Sequence, residues 1–165
     1  MEQLDFKMQW AELMLLERKT RDIEGALIKS AREQMIDLVR EKLKESTWER
    51  EVAFRIARSL PNEYKERLLP DLLRLACEPS YVPTIVQARD VILTYPRRWI
   101  VEHIESVSEP LLRSSDEWIY RRLLEVYSLL DKELTLRLAR RGLDNTNPEI
   151  CEACNDFIED PGPRW

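Results

Sequence analysis

Apolar residues recur at helical spacing from the start of the chain. In residues 3–18 a leucine, methionine or alanine returns every three or four positions, and residues 22–45 continue the pattern with charged residues between. The inward positions include Met8, Ala11 and Leu15 in the first segment and Ile23, Leu27, Met35, Leu38 and Val39 in the second. We expect two helices that form an antiparallel hairpin over residues 1–45, the first of them substantially buried.

From residue 47 onward the apolar pattern repeats with a period of about 35 residues. The corresponding positions are Ala53, Ile56, Ala57 and Leu60, then Ala88, Val91, Ile92 and Tyr95, then Leu123, Val126, Tyr127 and Leu130. Pro61, Pro96 or Asp131 follows each set and precedes a second apolar segment. A shorter offset of 31 residues, from Ile119 to Ile150, aligns the last segment with the first helix of an incomplete repeat that Asn147-Pro148 opens.

This pattern of paired helices resembles HEAT or armadillo-like repeats across roughly residues 47–160. The resemblance implies an all-α fold, a right-handed α-α superhelix of about nine helices in which the HEAT-like pairs follow the N-terminal hairpin. We expect residues 1–165 to form a single domain with an irregular tail at 161–165. Such scaffolds usually bind proteins, and the resemblance supplies no catalytic motif.

Composition and charge limit the fold class and the kinds of partner that the sequence is compatible with. The chain has 165 residues, only 3 of them Gly, which suits helices better than a β-sandwich. Its formal net charge of -5 disfavours nucleic acid and anionic membranes and favours a basic protein partner. The acidic start lacks the positive region of a signal peptide, and the three cysteines fit a reducing compartment. We therefore expect a cytoplasmic protein, and the sequence leaves its oligomeric state open.

Cys151 and Cys154 form a C-x-x-C pair, which raises the question of a metal or redox site. Zinc needs four ligands, and only the isolated Cys77 and His103 could complete the set. The repeat register places Cys154 in the position of Leu123, and His103 in a position that leucine occupies in the other second helices. We interpret these residues as packing residues. Because no nucleotide-binding or hydrolase motif is present, we expect no cofactor, no metal and no enzymatic activity.

Two groups of charged residues are candidate protein-binding sites. The first is an acidic face of the last helix, made of Glu149, Glu152, Asp156 and Glu159 with Asp160 beside it. The second lies on the second helices and consists of Arg67, Asp71, Glu102, Arg137 and Arg141, with Trp118 as an aromatic anchor. Arg67, Glu102 and Arg137 share one register, so they could form an ion-pair ladder or line a concave face. The acidic face could equally be the polar end that keeps a helical array soluble.

Three functional hypotheses follow. The first is a non-enzymatic protein-protein interaction module, most specifically an immunity or antitoxin-type protein that binds and occludes a basic toxin such as a nuclease. The second is a HEAT-like DNA- or RNA-binding protein of the DNA-glycosylase type, which the pairs Arg97-Arg98, Arg121-Arg122 and Arg140-Arg141 would favour. The third is a structural adaptor or chaperone in a larger complex. The acidic charge favours the first.

Overall fold

A computed structural model of the protein describes residues 5–30, 33–45, 47–78, 82–113 and 116–163. Within these residues the fold is all-α, which confirms the predicted class, and no strand is present. The helices are α1 (Phe6–Lys29), α2 (Glu33–Lys42), α3 (Thr47–Ser59), α4 (Asn62–Ala76), α5 (Val82–Ile92), α6 (Arg97–Leu112), α7 (Glu117–Leu130), α8 (Lys132–Gly142) and α9 (Pro148–Glu159).

The chain divides into two compact units, Met1–Leu60 and Pro61–Trp165, where the sequence predicts a single domain. Unit 1 contains α1 to α3, and unit 2 contains α4 to α9. The HEAT-like superhelix stays a prediction. Of the predicted irregular tail, the described residues 161–163 are not helical, and residues 164–165 lie outside the described part of the chain.

The first helix ends later than predicted. The sequence predicts helices over residues 3–18 and 22–45, but α1 runs without a break to Lys29. No Pro or Gly lies between Arg18 and Asp22, so nothing interrupts the helix there. The Asp5 carboxylate accepts hydrogen bonds from the first-turn amides of Lys7 and Met8, which fixes the start of the helix.

The predicted burial of α1 is wrong, because none of its residues is buried. The predicted hairpin over residues 1–45 also differs from the structure, since α2 packs on α3 instead of on α1. The apolar residues of α2 and α3 meet in the core of unit 1, which comprises Ile36, Val39, Leu43, Ala53, Phe54, Ile56, Ala57 and Leu60. Helix α1 contacts α3, where Arg55 donates to Glu24 at 2.7 Å. Against α3, α2 buries Ile36 and Val39 of its apolar stripe, whereas Leu38 stays 45% exposed.

Unit 2 is organised around α4, which packs against α5, α6 and α7. Four leucines of α4, Leu68, Leu69, Leu72 and Leu73, are fully buried. The positions that the repeat pattern predicts as core are buried, as Ala88, Val91, Ile92, Tyr95, Leu123, Val126, Tyr127, Leu130, Ile150, Cys154 and Phe157 show. The helical period therefore identifies the inward faces of α5, α7 and α9 correctly.

Short connections with polar capping residues separate helices of unit 2. Asp131 ends α7 and also caps α8, where its carboxylate accepts from the amides of Glu133 and Leu134. Asn147 caps α9 and Pro148 is its first residue, which confirms the predicted start of that helix. Pro110 does not end a helix, because it lies in the last turn of α6 and removes only one backbone hydrogen bond.

A buried ion pair joins α5 to α7. The Arg89 side chain is only 3% exposed and donates to Glu125, which also accepts from Arg122 at 2.8 Å. The 35-residue offset aligns Glu125 with Arg55 and Asp90, one residue away from Arg89, so the sequence does not predict this pair. Adjacent helical residues point about 100° apart, so a register that places Asp90 on one face turns Arg89 toward α7.

We expect Glu125→Ala to lower the free energy of unfolding by about 3 kcal/mol, because it leaves the Arg89 guanidinium buried without its carboxylate. The double variant Arg89→Met with Glu125→Leu removes both charges and should cost less than the single variant. Chemical denaturation measures both values. Glu102→Ala, which breaks the exposed Arg98–Glu102 pair, is the control and should change stability by less than about 0.5 kcal/mol. A loss as small as that control for Glu125→Ala would contradict this account of α5 and α7.

Candidate protein-binding surfaces

A groove between α7 and α9 brings together residues from both helices. We call it the acidic groove, with a volume of about 370 Å³. It is lined by Glu117, Trp118, Arg121, Glu149 and Glu152. The predicted anchor Trp118 is 56% exposed here, so its indole is available to a partner. Three of the predicted protein-binding residues therefore share one groove. Glu117 is an addition that the sequence did not predict, and Arg121 was considered only for nucleic-acid binding.

Carboxylates outnumber basic side chains in the acidic groove. Its one arginine, Arg121, lies 3.4 Å from the carboxylate of Asp156, a further residue of the predicted acidic face. Glu117 accepts a hydrogen bond from the Asn147 side chain at 3.4 Å, so the cap of α9 also orients this carboxylate. Glu149 and Glu152 are exposed. The groove therefore presents negative charge beside an aromatic ring.

The remaining acidic residues of the predicted face lie at the end of α9. Glu159 is the last residue of the helix, and Asp160 follows it as the C-cap. The Asp160 carboxylate accepts a hydrogen bond from the Gly162 amide at 3.1 Å, which gives it a local structural role. These two residues are exposed but are not among the residues that line the acidic groove.

A second groove, between α6 and α8, contains the predicted residues Arg137 and Arg141. We call it the ion-paired groove, with a volume of about 410 Å³. Arg137 donates two hydrogen bonds to Glu105, at 3.1 and 3.0 Å, and Arg141 donates two to Glu109, at 2.6 and 2.9 Å. Hydrogen bonding from Arg141 lowers the pKa of Glu109, and the same contact raises the pKa of Arg141. The charges of this groove largely satisfy one another.

Two members of the predicted ladder of register-equivalent residues, Glu102 and Arg137, form ion pairs with residues outside the ladder. Arg137 pairs with Glu105, while Glu102 accepts from Arg98 within its own helix at 2.9 Å. Arg67 and Asp71 are half-buried on α4 and are not among the residues that line either groove. Four of the six arginines that prompted the nucleic-acid hypothesis form ion pairs. Arg98, Arg121, Arg122 and Arg141 each contact a carboxylate.

The cysteines occupy packing positions. Cys154 and Cys77 are buried, and burial raises the pKa of each thiol to about 12. Cys151 is half-buried, and its thiol lies 3.2 Å from the Asn145 carbonyl oxygen, to which it donates. Across the described ranges, no group of three or more His, Cys, Asp or Glu side chains is placed to hold a metal ion.

His103 is not the packed residue that the register predicts, because it is exposed. Its ring stacks on that of Trp99 with centroids 4.4 Å apart, and its Nδ1 lies 2.8 Å from the Trp99 carbonyl oxygen. The two residues are one helical turn apart, so stacking on the half-buried indole satisfies the ring without burying it.

Helix α9 approaches α8 closely at Gly142. A Cβ atom at this position would overlap the Cys154 sulfur and lie 2.7 Å from the Tyr120 hydroxyl oxygen. The same Tyr120 hydroxyl donates to the Leu138 carbonyl at 2.9 Å, which ties α7 to α8. The absence of a side chain at residue 142 thus allows α7, α8 and α9 to converge and positions the acidic groove.

Unit 1 carries an apolar groove that the sequence analysis missed. It has a volume of about 370 Å³ and is lined mainly by Leu27, Met35, Leu38, Val39, Trp48, Val52, Ala53 and Ile56. Trp48 is 80% exposed at its edge. Of the residues predicted to face inward, Val39 is buried, whereas Leu38 is 45% exposed in this groove. The apolar pattern identifies both as apolar positions but does not show which of them stays open to solvent.

Comparison of the chain with protein-family models, with curated proteins and with solved structures gives no match. Among the helices of the described residues, none combines the length and the apolar character that crossing a membrane requires.

We expect Gly142→Ala to lower the free energy of unfolding by about 2 kcal/mol, because overlap with Cys154 and Tyr120 outweighs the better helix propensity of alanine. In a Cys154→Ala background the same change should cost less, since the sulfur is gone. Thermal and chemical denaturation measure this coupling. Gly25→Ala is the matched control: its Cβ meets nothing within 4 Å, so it should be neutral or stabilising. Equal effects at both glycines would contradict the close approach.

We expect Glu109 to titrate below the ordinary glutamate pKa, because Arg141 hydrogen-bonds its charged form. Its contribution to stability is present above the pKa of the unfolded chain and is lost as the pH falls through the folded-state pKa. Side-chain NMR titration measures the midpoint. Arg141→Met should raise this midpoint toward the ordinary value. Arg137→Met, which removes the partner of Glu105 instead, should leave the Glu109 midpoint in place, and a shift there would show that the two pairs are not separate.

Proposed function

We propose that this chain is a non-enzymatic protein-binding module that accepts a basic segment of a partner protein in the acidic groove. The observation that carries the proposal is the juxtaposition of the exposed Trp118 with Glu149 and Glu152, which come from a different helix. Aromatic residues with open faces are frequent anchors at protein interfaces, and scattered surface charge alone would not bring one beside an excess of carboxylates.

The groove suits a lysine or arginine side chain. The cation would lie over the Trp118 indole, where the ring quadrupole attracts it, while Glu149 and Glu152 accept its hydrogen bonds. Negative charge along α9 would also attract a basic partner over longer distances and raise the association rate, especially at low salt. The ion-paired groove, whose arginines are already bonded to carboxylates, would contribute less to such binding.

The most specific form of this function is that of an immunity or antitoxin-type protein acting in the cytoplasm. In that role the carboxylates of the acidic groove would occupy a basic toxin surface, such as the surface with which a nuclease meets phosphates, and occlude it. The net charge of -5 supports this direction of complementarity. An adaptor role would instead place the chain within a larger assembly.

We expect Trp118→Ala, and separately the pair Glu149→Gln with Glu152→Gln, to weaken binding of the basic partner about tenfold or more. The partner is recovered from a lysate of the native host with the full chain as bait, and the affinities of the purified pair are then measured at two salt concentrations. Glu159→Gln with Asp160→Asn neutralises the same number of charges outside the groove and serves as the control.

Three outcomes would count against this function. Equal losses in the control and the groove variants would show that only net charge matters. Retention of the chain on duplex DNA, with an affinity that falls steeply with salt, would favour the nucleic-acid hypothesis. Recovery of a large assembly with no basic protein at the groove would favour the adaptor hypothesis.

A further inference from the structure

Helix α1 exposes more apolar surface than a single folded chain normally leaves open. It spans 24 residues, and its exposed large apolar side chains are Phe6, Met8, Trp10, Leu13, Met14, Leu15, Leu16 and Ile23. At roughly 100 Å² each, these side chains present on the order of 800 Å² around the whole helix, and the four that share one face, Phe6, Leu13, Leu16 and Ile23, present on the order of 400 Å² of it. An exposed patch of this size indicates an interaction surface.

One stripe along α1 has the spacing of a coiled-coil seam. Phe6, Gln9, Leu13, Leu16, Thr20 and Ile23 alternate three and four residues apart, which keeps them on one side of the helix. All six are exposed, whereas Leu27, the next position of the seam, is half-buried and lines the apolar groove of unit 1. The exposed seam therefore lies on the part of α1 that precedes its contact with α3.

The two halves of α1 carry opposite net charge. Residues 5–17 contain three acids, Asp5, Glu12 and Glu17, against one base, Lys7. Residues 18–29 contain four bases, Arg18, Lys19, Arg21 and Lys29, against two acids, Asp22 and Glu24. Two such helices attract each other when they run in opposite directions, because each acidic half then meets a basic half.

We propose that α1 pairs with α1 of a second copy of this chain as an antiparallel, two-fold symmetric helix pair. One register satisfies the whole seam. It places Phe6 against Ile23, Leu13 against Leu16 and Gln9 against Thr20 of the second copy, so that apolar residues meet apolar residues and polar residues meet polar ones. The flanking Glu12 then faces Lys19 of the second copy, and the two-fold symmetry forms this contact twice on the same side of the pair.

Other arrangements fit less well. Moving the antiparallel register by one heptad places Leu16 against Thr20 and brings Lys19 next to Lys19 of the second copy. A parallel pair places Glu12 beside Glu17 of the second copy, which is repulsive. A membrane-surface helix would have a polar face rich in lysine and arginine, whereas the amino-terminal half of α1 has more acids than bases.

Sedimentation equilibrium of the full chain tests the proposal, with twice the chain mass as the expected result. Leu16→Gln should weaken the dimer on the order of a hundredfold, because symmetry removes the seam leucine twice. Leu15→Gln is the matched control: Leu15 is 67% exposed and Leu16 55%, but only Leu16 belongs to the seam. A monomer in the wild type at micromolar concentration, or equal effects of the two variants, would overturn the proposal.

Charge exchange tests the register independently of the folding of unit 1. Glu12→Lys and Lys19→Glu should each weaken the dimer, and the double variant should restore it, since the opposite charges again face each other. Failure of the double variant to recover affinity would refute the register. Oxidation of a Gln9→Cys, Thr20→Cys double variant should give a cross-linked dimer, whereas Gln9→Cys alone should not; cross-linking of the single variant would demonstrate a parallel pair instead.

Discussion

Helix α9 can lie against α7 and α8 only because residue 142 has no side chain. The space that a Cβ atom would need is occupied by the Cys154 sulfur and the Tyr120 hydroxyl, and that hydroxyl is held by the Leu138 carbonyl. Three helices are therefore in direct atomic contact around residue 142. Both walls of the acidic groove are built on these helices, so the position of Glu149 relative to Trp118 depends on this glycine.

Electrostatics in unit 2 changes with location. Inside, Arg89 and Glu125 join α5 to α7, and on the face between α6 and α8 two arginines are matched one-to-one by glutamates. Between α7 and α9 the matching stops, since one arginine lies among several carboxylates. An electrostatic field extends into solvent where charged side chains are not neutralised by nearby charges of opposite sign. The acidic groove is the groove of unit 2 where such an imbalance coincides with an exposed aromatic ring.

The sequence predicts the helical faces of unit 2 well and the contacts between helices poorly. Periodicity identifies Leu123 and Ile150 as core positions, because the helix geometry alone determines which residues share a face. It cannot decide whether Arg89 or Asp90 faces α7, since that depends on how two helices are rotated against each other. The carboxylates of α9 were predicted as a face, but their meeting with Glu117 and Trp118 requires the tertiary packing of a helix about 30 residues away.

The difference between predicting a helical face and predicting its packing partner also explains why the predicted burial of α1 is wrong. An apolar pattern shows that a helix has a face to bury, but it does not show whether the packing partner belongs to the same chain or to another molecule. The predicted hairpin packs the first helix against the second helix of the same chain, but α2 packs on α3.

A helix that buries no side chain has little tertiary support within one chain, and isolated helices of this length are marginally stable in water. If a second copy supplies the missing support, the coil-to-helix transition of residues 6–29 becomes a bimolecular event. The helix content of this segment would then vary with protein concentration, while the helix content of α2 to α9 would not. The amino-terminal segment would in that case report how many copies of the chain are near one another.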